Sequence, residues 1–278
     1  MAEPLRVGIL HPGAMGAALA LAALEAGNHA AWASEGRSAA TRGRAERLGL
    51  SDDATTGRLA ESCDVLVAVC PPHAALQVAE DVGLARYEGG YLELNAVSPQ
   101  TFHRIAGLLG SADVVDGALI GHPPAPGRRV RMHVAGEPPP AWVRRVFSAD
   151  AVSVVPTGAP GGSASALKMA YALYSKGSLA LAALARALAA SHDLESQLLE
   201  EWKHVPRPSP TAGDLDRTAA AAWRWSGELE EIAGACAAAS VPSAMPAAAA
   251  KVLEQLARAE ADRPLDALRT AGAEPGEG

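Results

Sequence analysis

Short runs of consecutive apolar residues alternate with stretches of helical periodicity along the first half of the chain. Alternation of this kind is typical of strands buried in a parallel sheet and joined by right-handed helical crossovers. The sequence therefore predicts a sheet that helices cover on both faces. The predicted strands are 5–10, 30–33, 65–69, 90–94, 114–119, 129–134 and 151–155, and the predicted helices are 15–26, 39–48, 73–82, 99–109 and about 140–147.

The pattern changes at residues 156–162, where proline and glycine dominate and the strand signal ends. Residues 163–191 then form one apolar, alanine-rich stretch, which predicts a helix roughly 40 Å long. We therefore expect a Rossmann domain, a doubly wound parallel α/β sheet, over 1–160 and an all-α domain over 161–278. Further helices are predicted near 215–238 and 246–259, the proline-rich segment 205–210 is predicted to be a loop, and the tail from 271 is predicted to be disordered.

The long helix also bears on assembly. A helix that is apolar on nearly all faces requires burial on most of them, and the short helices of one chain are too few to cover it. We therefore expect the C-terminal domain to form a homodimer.

A glycine-punctuated turn follows the first predicted strand, where residues 8–16 read GILHPGAMG. A Rossmann domain binds a dinucleotide pyrophosphate at such a turn, because glycine lets the backbone approach and the helix N-terminus offers free N–H groups. The GxGxxG template is incomplete, since its first glycine is a histidine, and an ordinary glycine turn before a helix is the alternative. The predicted cofactor-binding residues of this turn are His11, Pro12, Gly13, Ala14, Met15 and Gly16.

The end of the second predicted strand bears on the choice of dinucleotide. NAD sites usually carry an acidic residue there, whereas NADP sites offer basic and hydroxyl groups to the 2′-phosphate. Ser34, Arg37 and Ser38 favour NADP, because an arginine and hydroxyls form charge-assisted hydrogen bonds to a phosphate. Glu35 is the candidate ribose acceptor if the cofactor is NAD.

Composition limits the other partners. The 278 residues are 49% hydrophobic and 20% charged with a net charge of -7, and no long basic run is present. These values indicate a globular protein whose partner is a small molecule rather than a nucleic acid. The three cysteines lack metal-ligand spacing, so we expect no metal and no disulfide. No signal peptide or membrane span is predicted, and we expect a cytoplasmic protein.

Five segments carry a more specific pattern: 8–16 with its PGxMG core, 69–72 (VCPP), 93–99 (ELNAVSP), 116–121 (DGALIG) and 162–168 (GSASALK). In order and spacing they resemble the superfamily of β-hydroxyacid dehydrogenases, which includes 3-hydroxyisobutyrate and 6-phosphogluconate dehydrogenases. The resemblance covers most of the chain. The chain looks like a poorly characterised bacterial branch of this superfamily, with a C-terminal helical domain of unknown function.

The resemblance implies residue roles. The lysine corresponding to Lys168 opens the interdomain helix in this superfamily and serves as general acid and base beside the nicotinamide. A lysine in an apolar, buried helix is costly unless it reaches a cleft, and the alternative is a surface lysine whose stem packs against apolar neighbours. The resemblance also places Cys70, Pro71, Pro72 and Asn95 beside the cofactor.

Two positions depart from the pattern. The superfamily binds a substrate carboxylate with a serine and an asparagine, where this chain has Ile120 and Ala172. Burying an anion without those partners costs several kcal/mol, so we expect a bulkier or less polar substrate. The predicted substrate-binding residues are Ile120, Gly121, His122, Tyr171 and Ser175, with Tyr174 nearby; the alternative for the helical ones is packing within a core.

Three functions are consistent with the sequence. The first is an NADP-preferring dehydrogenase or reductase that moves hydride between the nicotinamide and an alcohol or ketone carbon. Imine reductases resemble this architecture and are the second, although the ammonium of Lys168 would repel a positive iminium. The third is a protein that binds NADP without catalysis.

Overall fold

The computed structural model describes residues 3–190, 192–204, 212–258 and 268, and for 212–217 it describes the backbone. The described residues form an eight-stranded sheet in the order β3-β2-β1-β4-β5-β6-β7-β8. Every neighbouring pair is parallel except β6 and β7. The strands are β1 (Arg6–Ile9), β2 (His29–Trp32), β3 (Ser51–Asp52), β4 (Val65–Ala68), β5 (Gly90–Glu93), β6 (Asp113–Ile120), β7 (Val130–Val134) and β8 (Val152–Pro156).

The seven predicted strands are present. The strands β1, β2, β4 and β5 are largely buried, as parallel strands covered on both faces should be, whereas β8 is mostly half-buried. In β4, Val65 and Val67 point to one apolar layer while Leu66 and Ala68 point to the other. The predicted doubly wound parallel sheet is confirmed, and the one antiparallel pair among the described strands is β6 and β7. Residues 121–129 join these strands without a helix, and so short a connection returns the chain antiparallel.

Ten α-helices lie among the described residues. The helices predicted in the first half are present except that α6 is shorter than predicted, while α3 and α8 were not predicted. The helices are α1 (Ala14–Glu25), α2 (Ala39–Arg47), α3 (Thr56–Ser62), α4 (Ala75–Leu84), α5 (Pro99–Leu108), α6 (Val143–Val146), α7 (Ser163–Ala190), α8 (Glu195–Lys203), α9 (Ala212–Ala238) and α10 (Ala244–Ala257).

The chain separates into two compact units, Met1–Lys168 and Met169–Gly278, and the boundary falls inside α7. The division between residues 160 and 161 stays a prediction about domains. In the second unit α9 packs against α10, and the half-buried Lys176 forms an ion pair with the buried Glu228. The predicted loop at 205–210 and the tail from 271 lie outside the described residues.

The described part of the chain contains neither a membrane-spanning helix nor a metal-binding cluster. No helix there is long and apolar enough to cross a membrane. In that same part, no three or more His, Cys, Asp or Glu side chains come together in a way that could hold a metal ion.

Candidate functional site

The glycine turn between β1 and α1 is built for close approach of the backbone. Gly13 is the N-cap of α1, no side chain caps the helix, and the first turn carries no acidic residue. A Cβ at Gly16 would lie 2.1 Å from the carbonyl oxygen of His11, so this position accepts only glycine. The N-terminus of α1 therefore keeps free N–H groups and a positive dipole end, which fit a pyrophosphate.

His11 replaces the first glycine of the motif, and its ring contacts Arg37. Nη1 of Arg37 lies 3.2 Å from Nδ1 of His11, and Nη2 donates to the carbonyl oxygen of Leu10 at 2.9 Å. Burial lowers the pKa of His11, and the charges of Arg37 and Arg44 lower it further. The histidine is therefore neutral at pH 7 and accepts from the guanidinium through Nδ1.

The segment after β2 contains the other residues predicted to choose the dinucleotide. Ser38 caps α2, because its Oγ accepts from the N–H of Thr41 at 3.3 Å and donates to the Thr41 Oγ1. The N–H of Ser34 donates to Asp52 at 3.2 Å, whereas the side chain of Glu35 is exposed. The N-terminus of α2 and the Arg37 guanidinium thus lie at the end of β2, where an adenosine ribose binds in this fold.

The carboxyl ends of β4 and β5 meet through Asn95. Its Oδ1 accepts a hydrogen bond from the N–H of Cys70, and its own N–H donates to Oε1 of Glu93 at 2.8 Å. The Asn95 Nδ2 is buried and has no partner among the described residues. Asn95 is thus held at its side-chain oxygen and its backbone N–H, and both N–H donors of its amide NH2 are left without a partner among the described residues. Of the neighbouring predicted residues, Pro71 is partly exposed and Pro72 is buried.

Glu93 is a residue of this region that the sequence analysis did not select. Its side chain is fully buried and faces Asp116, its partner in the β5–β6 register. Burial raises the pKa of Glu93 to about 8, with a further contribution from Asp116, although the Asn95 N–H opposes the shift. Glu93 therefore carries a proton at neutral pH. The signal available in the sequence was a carboxyl residue at the end of an apolar strand.

Asp116 on β6 caps the start of α7. Its carboxylate accepts from the N–H of Ala164 at 2.8 Å, and from the hydroxyl of Ser165 at 2.6 Å. The carboxylate is almost completely buried, and the positive end of the α7 dipole compensates its charge. This cap fixes the position of the helix turn that carries Lys168.

Lys168 reaches the end of β6, where its Nζ donates to the carbonyl oxygen of Leu119. Because β1, β4, β5 and β6 are parallel, the glycine turn, Asn95 and Lys168 all lie at the carboxyl edge of the sheet. That edge is where ligands bind in open α/β sheets.

The residues predicted to bind the substrate are divided between the two units. Ile120 is half-buried, and Gly121 has a φ of 123°, which favours glycine. His122 is exposed in the β6–β7 loop. Tyr171 and Ser175 belong to the second unit, where the Ser175 hydroxyl donates to the Tyr171 carbonyl oxygen at 3.1 Å, so Ser175 is bonded to its own helix.

Two segments of the chain match known families. Residues 6–89 match a family described as NADP oxidoreductase coenzyme F420-dependent, and residues 185–256 match a domain of unknown function, DUF1932. An uncharacterized 28.5 kDa protein in the 7S RNA 5′ region of Methanothermus fervidus is 30% identical over 167 residues, which are 60% of this chain. The match spans 64% of that relative's length.

Three solved structures share the fold. A conserved protein of unknown function, described as similar to 3-hydroxyacid dehydrogenases, is 26% identical with a TM-score of 0.64, over 97% of this chain and 100% of its own. The Mycobacterium tuberculosis 3-hydroxyisobutyrate dehydrogenase with L-serine is 19% identical with a TM-score of 0.71, over 98% and 100%. The Myxococcus stipitatus imine reductase with NADP+ is 19% identical with a TM-score of 0.55, over 92% and 94%.

These matches confirm the resemblance predicted from the sequence. The chain has the fold of the 3-hydroxyacid dehydrogenases and imine reductases, and it combines a segment that matches the NADP oxidoreductase family with a C-terminal segment that matches DUF1932.

Proposed function

We propose that the protein is an NADP-dependent dehydrogenase or reductase that acts on an alcohol or ketone carbon. The observation that carries the proposal is the placement of Lys168 at the same sheet edge as the glycine turn. Its Nζ is held by the Leu119 carbonyl oxygen, and the turn at Gly13 and Gly16 leaves N–H groups free for a pyrophosphate. The proposed cofactor-binding turn and the proposed proton donor therefore lie at the same edge of the sheet.

Each group at this edge of the sheet has its own role in the proposed reaction. Backbone N–H groups at the start of α1 bind the pyrophosphate, and the spare Nδ2 of Asn95 orients a carbonyl oxygen of the cofactor or substrate. The bound cofactor supplies or accepts the hydride. In the reducing direction the Lys168 ammonium gives a proton to the substrate oxygen, and in the oxidising direction the neutral amine takes it back.

We assign the preference for NADP to Arg37. Three of its N–H groups contact His11, Leu10 and Ala33, and a guanidinium has five, so two are left for a 2′-phosphate. The arginines of α2 add positive charge to this region, which an NAD site does not need. Glu35 is the residue that would favour NAD instead.

The substrate we propose is less polar than a small hydroxy acid. Ile120 and the buried Ala172 supply no hydrogen-bond partners for a carboxylate. Gly121 and His122 are the further substrate-binding residues that we propose in the first unit, and Tyr171 and Ser175 in the second unit stay predictions from the sequence.

Imine reduction is the second candidate, because the fold is shared with an imine reductase and the phenol of Tyr171 is exposed. The ammonium of Lys168 opposes this reaction, since it repels an iminium. A third candidate, binding without catalysis, predicts cofactor affinity and no turnover.

We further propose a homodimer formed through α7. Apolar side chains recur along this helix at intervals of three, seven, three and four residues, and they are exposed in the single chain, Tyr174 to 81% and Leu188 to 66%. A stripe of this size on one helix is typical of an interface. The stripe consists of Tyr171, Tyr174, Leu181, Leu184 and Leu188.

The free thiols of Cys63, Cys70 and Cys236 agree with a cytoplasmic protein.

One experiment separates these functions. NADPH and NADH are titrated against the purified protein, with nicotinamide fluorescence as the readout, and NADPH oxidation is then followed with a panel of ketones and a panel of cyclic imines. Turnover of ketones, lost about 100-fold or more in Lys168→Ala and kept in the exposed-lysine control Lys251→Ala, supports the proposal. Turnover of imines alone favours the second candidate, and binding without any turnover favours the third.

A further inference from the structure

His11 occupies the place of the first glycine in the motif, and its ring lies over the N-terminus of α1. The Cβ position of Gly13 is 3.2 Å from Cδ2 of the ring and 3.4 Å from Nε2. Gly13 is the N-cap of α1, so the ring lies next to the residue at which this helix begins.

Arg37 determines which ring nitrogen carries the proton. A guanidinium donates and cannot accept, so the contact of Nη1 with Nδ1 requires Nδ1 to be an acceptor. The single proton of the neutral ring is therefore on Nε2. The lowered pKa of His11, caused by burial and by Arg37 and Arg44, agrees with a neutral ring.

Nε2 has no hydrogen-bond partner among the residues that the structure describes. A donor that is fixed in direction, lies beside a helix N-terminus and lacks a partner is suited to an anion. Arg37 contacts the ring at Nδ1 and adds positive charge there, so the donor, the helix terminus and this charge all favour an anion at Nε2.

We propose that the Nε2–H of His11 donates a hydrogen bond to a phosphate of the bound dinucleotide. This inference rests on the proposed function, because it needs a nicotinamide dinucleotide at the glycine turn. The side chain of His11 then supplies a directed donor where other sequences of this motif have glycine. Two phosphates share this chemistry, the pyrophosphate at α1 and the 2′-phosphate beside Arg37.

Three substitutions test the proposal, with dissociation constants for NADPH and NADH measured by calorimetry and thermal melts as a check on folding. His11→Gly restores the glycine of the motif and removes the donor. In His11→Gln the amide nitrogen takes the place of Nε2. In His11→Asn the amide takes the place of Nδ1, so the contact with Arg37 is kept and the donor over Gly13 is lost.

We expect His11→Gly and His11→Asn to bind NADPH about tenfold or more weakly, and His11→Gln to stay within about threefold of the wild type. An equal loss for NADH identifies the pyrophosphate as the acceptor, and a loss for NADPH alone identifies the 2′-phosphate. Unchanged or tighter binding by His11→Gly and His11→Asn overturns the role of His11 and leaves the proposed function standing. Absence of binding by the wild type overturns both.

Discussion

The hydroxyl of Ser165 donates to the carboxylate of Asp116 at 2.6 Å, and this contact joins the centre of the sheet to the first turn of α7. The backbone N–H of Ser165 donates to the same carboxylate. Lys168 is three residues further along the helix, so Asp116 controls where the proposed proton donor lies. The proposed proton transfer therefore depends on this cap.

Asp116→Asn tests the strength of this cap. The amide replaces a charged acceptor with a neutral one and places its own N–H groups near the helix N–H groups, which leaves buried donors without partners. We expect the free energy of unfolding to fall by about 2 kcal/mol in urea denaturation. Asp150→Asn is the matched control, because Asp150 forms an exposed ion pair with Arg129. Equal stability of the two variants would show that the cap contributes nothing measurable.

The buried pair of Glu93 and Asp116 makes stability depend on pH. The pKa of Glu93 is raised to about 8 in the folded protein, while the unfolded side chain titrates near its ordinary value of 4.5. Between these values the folded state binds more protons than the unfolded state, so stability decreases as pH rises. The stabilising contribution is complete below about pH 4.5 and is lost as pH passes through about 8.

Glu93→Gln isolates this effect, because the amide keeps the acceptor for the Asn95 N–H and cannot titrate. From pH 5 to pH 8 the wild type should lose stability relative to Glu93→Gln by about 1 kcal/mol per pH unit. The measurement is the free energy of unfolding of both proteins at each pH. Parallel pH curves would mean that Glu93 is ionised in the folded protein.

The glycine turn gives a third prediction. Gly16→Ala places a methyl group 2.1 Å from the His11 carbonyl oxygen, which is backbone and cannot move aside without rebuilding the turn. We expect NADPH affinity to fall about 100-fold or more, with a lower melting temperature. Gly107→Ala is the control, since that glycine lies in α5 with open space around its Cβ position, and alanine favours the helix. A Gly16→Ala variant that binds NADPH normally would contradict the proposed binding of the cofactor at the glycine turn.

Hydrophobic patterning predicted most of the sheet but not its details. The strand β3 was missed because it consists of two exposed polar residues, Ser51 and Asp52, which carry no apolar signal. The reversal at β7 depends on the length of a connection, which patterning does not measure. The sequence analysis did not single out Glu93, because its burial beside Asp116 depends on how β5 and β6 are aligned. That alignment cannot be read from the sequence alone.

The sequence predicts that the glycine turn and Arg37 bind the cofactor, and the resemblance predicts the role of Lys168; these roles stay predictions. The sequence did not reveal that Arg37 contacts His11, because those residues come from different strand ends that only the folded sheet brings together. The hydroxyl of Ser38 likewise proved to be a helix cap, and a capping serine and a phosphate-binding serine look alike in a sequence.

The apolar stripe on α7 gives the last prediction. Leu181→Glu and Leu188→Glu place charges in the centre and near the end of the stripe, and burying an unpaired carboxylate in an interface is costly. In light scattering after size exclusion, we expect the wild type to have twice the mass of one chain and the double variant to have the mass of one chain. Leu84→Glu is the control, because Leu84 is also exposed but lies on α4. A wild type with the mass of one chain would contradict the proposed homodimer, and a double variant that stays dimeric would move the interface away from α7.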